Sequence, residues 1–277
     1  MTIRLIAADL DDTLLDDSSR LTDRTLRAIC QAQRLGCHVA FVSGRMVCAM
    51  RDLMLRAHIH TPCAAYNGGA LVDPDTFAFL EETPVPLPLA REVLLYCEAQ
   101  GLHAQVYVDD VCYSETLNDT AVSYAAAVQL TPGVHVRGAG MKLSRFLTRG
   151  STKMLIIDDP AKVARLAGDL SARFGCELMF ASSRPAYLEI TARAANKGTA
   201  LTSLARRLSI PMSEVAAFGD GANDAPMLSA AGWGCCVANA HPAALSACSH
   251  RCPDHARDGV AQAIEALISL GMIGGQA

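Results

Sequence analysis

The sequence has no surplus of positive charge. Lys and Arg total 24 against 28 Asp and Glu, a formal net charge of −4. Nucleic-acid binding calls for a basic patch, and this balance supplies no footing for one. No apolar run approaches the roughly 20 residues of a membrane-spanning helix, so no membrane partner is expected. A charged segment followed by an apolar one is also missing at the start, where Met1-Thr2-Ile3-Arg4 leads straight into apolar sequence. No secretory signal peptide is expected, and a cytoplasmic location is. Internal repeats and low-complexity tracts are absent, apart from a recurring strand–helix rhythm. Charged residues are only 19% of the chain and hydrophobic ones 51%, enough for a sizeable core. A length of 277 residues accommodates one large domain or two of ordinary size.

Cysteine is the residue type present in excess. The eleven cysteines are odd in number and scattered, and Cys37, Cys97, Cys235 and Cys236 sit inside apolar runs. Buried free thiols in a reducing compartment are expected rather than disulfides. Cys248, His250, Cys252 and His255 lie close enough together to invite comparison with a zinc site. Their spacing matches no common zinc finger and Pro253 interrupts them, so a short strand and loop is expected there.

The stretch around which the chain is organised is Arg4-Leu-Ile-Ala-Ala-Asp9-Leu10-Asp11-Asp12-Thr13. Leu5 to Ala8 is short, apolar and without helical spacing, which predicts a strand buried on both faces. Three carboxylates follow within four residues. Two acids two residues apart beyond a strand end suit a nucleophile beside a general acid/base. The same residues are ordinary turn composition. The rest of the chain has to separate these readings.

Thr22 is the expected N-cap of a helix whose face is marked by Leu26, Ile29 and Ala32. Residues 37–42 predict a second strand closed by Ser43-Gly44-Arg45. A helix through Met50, Leu53 and Met54 follows, then a third strand over 63–66 closed by Asn67-Gly68-Gly69. Strand, helix, strand, helix, strand is the pattern of a doubly wound, Rossmann-like parallel sheet. It breaks at Thr83-Pro-Val-Pro-Leu-Pro88, where three prolines in close succession predict a linker.

Helices are expected over 89–100, 117–130 and 160–174, with a hairpin turning at Asp109-Asp110 and strands over 153–158, 177–181 and 187–191. No element is expected with any clarity over 131–152. Residues 83–192 thus predict an α+β domain inserted into an α/β domain formed by residues 1–82 and 193–277. His103, Tyr107, Arg145, Lys153 and Arg184 in the insertion are expected to be solvated surface residues. After it come a helix led by Asn196-Lys197-Gly198, a strand over 215–218 closed by Gly219-Asp220-Gly221-Ala222-Asn223-Asp224, a helix through Met227 and Leu228, a strand over 233–237, and a last helix over 259–270.

Four strand ends on one side of a sheet therefore gather Asp9, Asp11, Ser43, Asn67, Asp220, Asn223 and Asp224, with Lys197 starting a nearby helix. Taken singly, Ser43-Gly44 reads equally as a helix cap and Lys197 as a solvated lysine. Taken together they describe converging carboxylates, which repel by about 4 kcal/mol per pair at 4 Å and an effective dielectric of 20. A hard divalent cation relieves that repulsion, and oxygen ligands suit Mg²⁺. Ser43, Lys197 and backbone N–H groups after glycine suit an anion beside it.

Asp9-x-Asp11-x-Thr13, Ser43-Gly44-Arg45, Asn196-Lys197-Gly198 and Gly219-Asp220-x-x-Asn223-Asp224 resemble, in order and spacing, the four motifs of the haloacid-dehalogenase-like superfamily. The large insertion, together with Asn67-Gly68-Gly69-Ala70, Tyr187-Leu-Glu-Ile190 and Asp258-Gly-Val-Ala261, resembles its Cof-type branch with a type IIB cap. The resemblance implies a Mg²⁺-dependent phosphatase acting on small phosphorylated metabolites such as sugar phosphates; a monomer or weak homo-oligomer is expected, with the oligomeric state left open by the sequence. In that reading Asp9 is the nucleophile and Asp11 the general acid/base. Asp9, the Asp11 carbonyl and Asp220 hold Mg²⁺, and Asp224 supports them. Leu10 N–H, Ser43, Gly44, Lys197 and Asn223 bind phosphate. The resemblance leaves open a sugar phosphomutase or a catalytically silent phosphometabolite-binding protein, although Asp9, Asp11 and Asp220 are all present. Asp12 departs from the glycine common in the family, and no role attaches to its carboxylate.

Overall fold

The computed structural model describes residues 2–130 and 133–273. Thr131 and Pro132, in the stretch for which no clear element is expected, lie outside the described residues, as do Met1 and the last four. The chain divides into two compact units, Met1–Glu81 with Asn196–Ala277, and Glu82–Ala195.

The first unit opens with β1 (Leu5–Ala8), all four residues buried, followed by α1 (Asp23–Arg34). Thr22 caps α1 as expected, its side chain accepting from the Thr25 N–H. β2 (His38–Phe41) and α2 (Val47–Arg56) follow. Val47 rather than Ser43 begins α2, with Met46 at the cap, so Ser43 is not the helix cap that its composition equally allowed.

The third expected strand, β3 (Cys63–Ala65), departs from the doubly wound pattern. It touches the main sheet through one parallel bridge, Val42 to Ala64. Its full pairing is antiparallel with β4 (Ala70–Val72), and β5 (Phe79–Glu82) completes a separate three-stranded sheet. The close spacing of Cys63–Ala65 and Ala70–Val72 explains the difference: four residues permit a hairpin, whereas a parallel return needs a dozen or more.

The second unit begins with α3 (Leu87–Ala99), whose start after Pro86 uses the preset proline geometry. β6 (His103–Val108) and β7 (Val111–Ser114) form the expected hairpin, with Asp109 and Asp110 both at positive φ, as a type I′ turn requires. Next is α4 (Asp119–Ala127), shorter than the sequence pattern predicts because Asn118 caps it at the front. β8 (Val136–Gly138) and α5 (Leu143–Phe146) lie in the stretch without expected elements. β9 (Met154–Ile157), α6 (Pro160–Phe174), β10 (Leu178–Arg184) and β11 (Tyr187–Ala192) complete a six-stranded sheet in the order β10-β11-β9-β6-β7-β8. Leu94, Val106, Ile156, Leu166, Leu170 and Leu188 are among the residues of its core.

Two residues expected on the surface of this unit are buried. Lys153 is 3% exposed and Tyr107 is fully buried. A buried ammonium needs compensation. Lys153 Nζ lies 3.3 Å from Glu189 Oε1 and 4.8 Å from the Tyr107 ring centre, while Tyr107 donates to the Tyr124 hydroxyl at 2.7 Å. Alternating strand positions put polar side chains here that no sequence pattern distinguishes from a wet face.

The chain re-enters the first unit through α7 (Lys197–Arg207), capped by Asn196. β12 (Val215–Gly219), α8 (Ala225–Ala230), β13 (Trp233–Val237), α9 (Pro242–Ala247), β14 (His250–Cys252) and α10 (Gly259–Ser269) follow. The five-stranded parallel sheet has the order β14-β13-β12-β1-β2. β1 and β12 are buried throughout, so both sheet faces are covered. From β1 the chain moves one way to β2, and from β12 the other way to β13 and β14. The strand order therefore reverses between β1 and β12, where open α/β sheets bind ligands.

All eleven cysteines are free thiols, seven of them buried. The short strand expected near Cys248–His255 is β14. Its His250 ring stacks on Trp233 at 4.5 Å, and Cys252 Sγ donates to the Cys236 carbonyl at 3.7 Å.

Candidate active site

Asp9 follows β1 directly and Asp220 follows β12 directly. The parallel register Ala8 to Phe218 sets the two strand ends side by side, and Asp9 N–H donates to the Phe218 carbonyl at 3.0 Å. Asp224 lies one turn beyond Asp220 and is fully buried. Its Oδ2 accepts from the N–H groups of Asp220, at 3.1 Å, and Gly221, at 2.8 Å. Gly219 is required here, because a Cβ on it would stand 2.5 Å from Asp224 Cβ.

Lys197, the first residue of α7, is 1% exposed. Its Nζ lies 2.6 Å from Asp9 Oδ1 and 2.6 Å from Asp224 Oδ1. Burial alone would lower the lysine; the Asp224 and Asp9 carboxylates overcome it and hold the ammonium above its usual range. Asp9 is shifted upward too, which for a carboxylate disfavours the charged form. Burial raises it well above the carboxylate range, and the neighbouring Asp224 charge adds to this against the pull of Lys197. Asp220 is pushed up to about 6, mainly by burial, although the Thr13 hydroxyl donates to its Oδ1 at 2.7 Å and favours the ionised form.

These shifts describe carboxylates with too little positive charge nearby. Asp9, Asp220 and Asp224 each offer an oxygen within 4.8 Å of the others, the one such group among the described residues. The donors are all hard oxygens, which suits a divalent cation such as Mg²⁺. The Asp224 oxygens already accept two N–H groups and Lys197, so Asp9 and Asp220 are the better placed ligands and Asp224 is the brace.

The other expected site residues occupy the adjoining loops. Ser43 follows β2, is buried, and accepts the Arg45 N–H on Oγ at 3.1 Å, an orientation from which its own proton can be donated outward. Gly44 passes so close to Asn67 that a Cβ would lie 2.9 Å from Asn67 Oδ1. Asn223 Nδ2 donates to that same Oδ1 at 2.9 Å, joining the β12 loop to the β3 loop. The Leu10 side chain is buried, and its carbonyl accepts from Leu14 and Leu15 at 3.0 and 2.9 Å, closing the loop after β1.

Asp11 stands apart from the buried cluster. It is half-exposed, and both its oxygens accept from Arg45: Nε to Oδ2 at 2.9 Å and Nη2 to Oδ1 at 2.5 Å. Arg45 and Thr13 are site residues to which the sequence reading attaches no role. The signal was available, since each lies two positions after a residue already singled out.

A sequence profile of haloacid dehalogenase-like hydrolases matches residues 6–264. The chain belongs to that family. Within this hydrolase family it falls in the Cof-type branch, and its curated relatives are phosphatases. Pyridoxal phosphate phosphatase YbhA of Escherichia coli is 27% identical over 269 residues, covering 95% of this chain and 98% of its own. Phosphatase YwpJ of Bacillus subtilis is 29% identical over 258 residues, covering 86% of this chain and 90% of its own. The crystal structure of TM0651 from Thermotoga maritima superposes with a TM-score of 0.85 at 31% identity, covering 96% of this hydrolase and 97% of that chain. The parallel core and the insertion expected from sequence are thus the architecture of the family.

Proposed function

We propose that this hydrolase is a Mg²⁺-dependent phosphatase of small phosphorylated metabolites, sugar phosphates or similar, working through an aspartyl-phosphate on Asp9. The observation that carries this reading is the buried Lys197 ammonium, 2.6 Å from Asp9 and from Asp224 at the switch point of the sheet. Such an arrangement has little use in a binding module. It keeps a desolvated carboxylate available as a nucleophile and leaves positive charge where phosphoryl oxygens would lie.

Asp9, Asp220 and the Asp11 carbonyl would hold Mg²⁺. When bound, the cation supplies charge neutralisation for Asp9 and for the phosphoryl oxygens. An Asp9 oxygen attacks phosphorus, forming an O–P bond while the bond to the leaving oxygen breaks. Asp11, protonated and clear of Arg45 in this half of the cycle, gives its proton to that oxygen. Water then attacks phosphorus, the Asp9 O–P bond breaks, and Asp11 takes the proton from the water. Ser43, the backbone N–H groups of Leu10 and Gly44, Lys197 and Asn223 bind the phosphoryl oxygens. Phosphoryl transfer draws mainly on positioning and charge neutralisation of this kind. The inserted unit, residues 83–192, serves as the cap that sets substrate choice.

A phosphate-release screen over phosphorylated metabolites tests the reading. The panel holds sugar phosphates, nucleotides, flavin phosphates and pyridoxal phosphate, the last because of the named activity of the Escherichia coli relative. Release that requires Mg²⁺ and stops with chelator is the expected result. Isomerisation of a sugar phosphate primed by a bisphosphate, without free phosphate, would mark a mutase instead.

A further inference from the structure

Asp12 is the residue after the proposed acid/base, and its backbone φ is +55°. That is left-handed territory, which a residue with a Cβ enters only against a steric penalty. Something must hold the peptide there. The Asp12 carbonyl accepts from Asn239 Nδ2 at 2.9 Å. Asn239 Oδ1 in turn accepts the His255 N–H at 3.2 Å. The Asn239 amide is therefore oriented from both sides, donor toward Asp12 and acceptor toward His255. The His255 ring reaches the same loop, with Nε2 3.0 Å from Asp17 Oδ1.

The loop carrying Asn239 joins β13 to α9 and is itself anchored to the second carboxylate loop. His241 N–H donates to the Asp220 carbonyl at 2.8 Å. One short connection thus grips the loop of Asp9 and Asp11 on one side and the loop of Asp220 on the other.

We propose that Asn239 is a positioning residue, holding the strained Asp12 peptide so that Asp11 and its carbonyl stay in register with Asp9 and Asp220. The proposal rests on the phosphatase reading for its catalytic consequence, while its structural consequence stands alone. Asn239 touches no reacting atom. Its effect falls on kcat, because it acts on the geometry of the reacting groups and not on the substrate.

The test is a set of variants at both positions, with kcat and KM measured for the best substrate of the screen and hydrogen exchange measured without substrate. Asn239→Ala lowers kcat about threefold to tenfold, the factor that one ordinary hydrogen bond carries, and leaves KM within about twofold. The loss depends on residue 12. It is larger on an Asp12→Ala background, since alanine tolerates positive φ less well than aspartate. It is smaller on an Asp12→Gly background, since glycine accepts positive φ without a Cβ clash. Amides of residues 9–15 exchange faster in Asn239→Ala than in the parent, with unchanged exchange in α1 and α10. An unchanged kcat, or the same loss on all three backgrounds, overturns the proposal. If the parent protein releases no phosphate, the phosphatase reading fails, and exchange alone decides: equal protection of residues 9–15 in parent and variant overturns the positioning role.

Discussion

Arg45 grips Asp11 by both carboxylate oxygens, with contacts of 2.9 and 2.5 Å. The pair is a fork of parallel charge-assisted hydrogen bonds, which fixes orientation as well as proximity. Asp11 is half-exposed and has little packing to hold its rotamer, so Arg45 is what aims its ionised form, the base that takes the proton from water. Arg45→Ala is expected to lower phosphate release at least about tenfold, a part of what a positioned acid/base contributes. Arg45→Lys keeps the charge and loses the fork, and is expected to recover only a fraction. Steady-state kinetics of the two variants check this; parent-like turnover in Arg45→Ala would show that Asp11 is oriented by other means.

Cation binding should be linked to proton release. Burial pushes Asp220 up to about 6 and raises Asp9 well above the ordinary carboxylate range. A raised carboxylate pKa means that protons compete with the cation on the acid side. Apparent Mg²⁺ affinity is therefore expected to fall as pH drops from 7.5 through 6 to 5, with protons released on binding. Titration calorimetry in two buffers of different ionisation enthalpy measures both quantities. An affinity independent of pH over that range would contradict the ligand assignment.

Lys197 is the positive charge between two buried acids. Its replacement by Met keeps the volume and leaves Asp9 and Asp224 uncompensated. Breaking a buried pair in this way destabilises by about 3–5 kcal/mol. Lys197→Met is expected to unfold at clearly lower urea and to lose phosphate release even where folded. A variant as stable as the parent would show that protonation of Asp9 compensates fully for the lost ammonium.

The buried thiols predict a stability limit on the alkaline side. Burial pushes Cys37, Cys63 and Cys97 each up to about 12. An unfolded chain ionises its cysteines near pH 8.5 to 9, so between about 9 and 12 the folded protein retains protons that the unfolded chain has released. Stability is then full below pH 9 and falls as pH rises, by up to about 1.4 kcal/mol per pH unit for each thiol. Urea midpoints at pH 8, 9 and 10 test the slope, and Cys63→Ala should flatten it.

The legible parts of this protein are those whose pattern is local. Leu5 to Ala8 reads as a buried strand from four residues, and Pro160 to Phe174 reads as a helix from its opening proline and its apolar face. Asp9, Asp220 and Asp224 are legible because strand ends of a doubly wound sheet concentrate chemistry, and Lys197 because it starts a helix beside them. What stayed hidden depends on pairing at a distance. Whether Cys63–Ala65 joins the parallel sheet or turns back on Ala70–Val72 is decided by neighbours and not by its own apolar run. Lys153 looks like any surface lysine until Glu189 and Tyr107 are placed around it. Asp12 looks like a spare acid, and its importance lies in its backbone, where a side-chain reading finds nothing.

The central claim is that Asp9 is the nucleophile, and phosphate release by Asp9→Asn tests it most directly. Asparagine has the same shape and cannot form the acyl phosphate. With Mg²⁺ present and the fold verified by an unchanged melting profile of the whole chain, release is expected to fall to background. The parent, quenched during turnover, is expected to show the mass of one phosphoryl group on the peptide containing Asp9. Substantial phosphate release by folded Asp9→Asn would contradict the account.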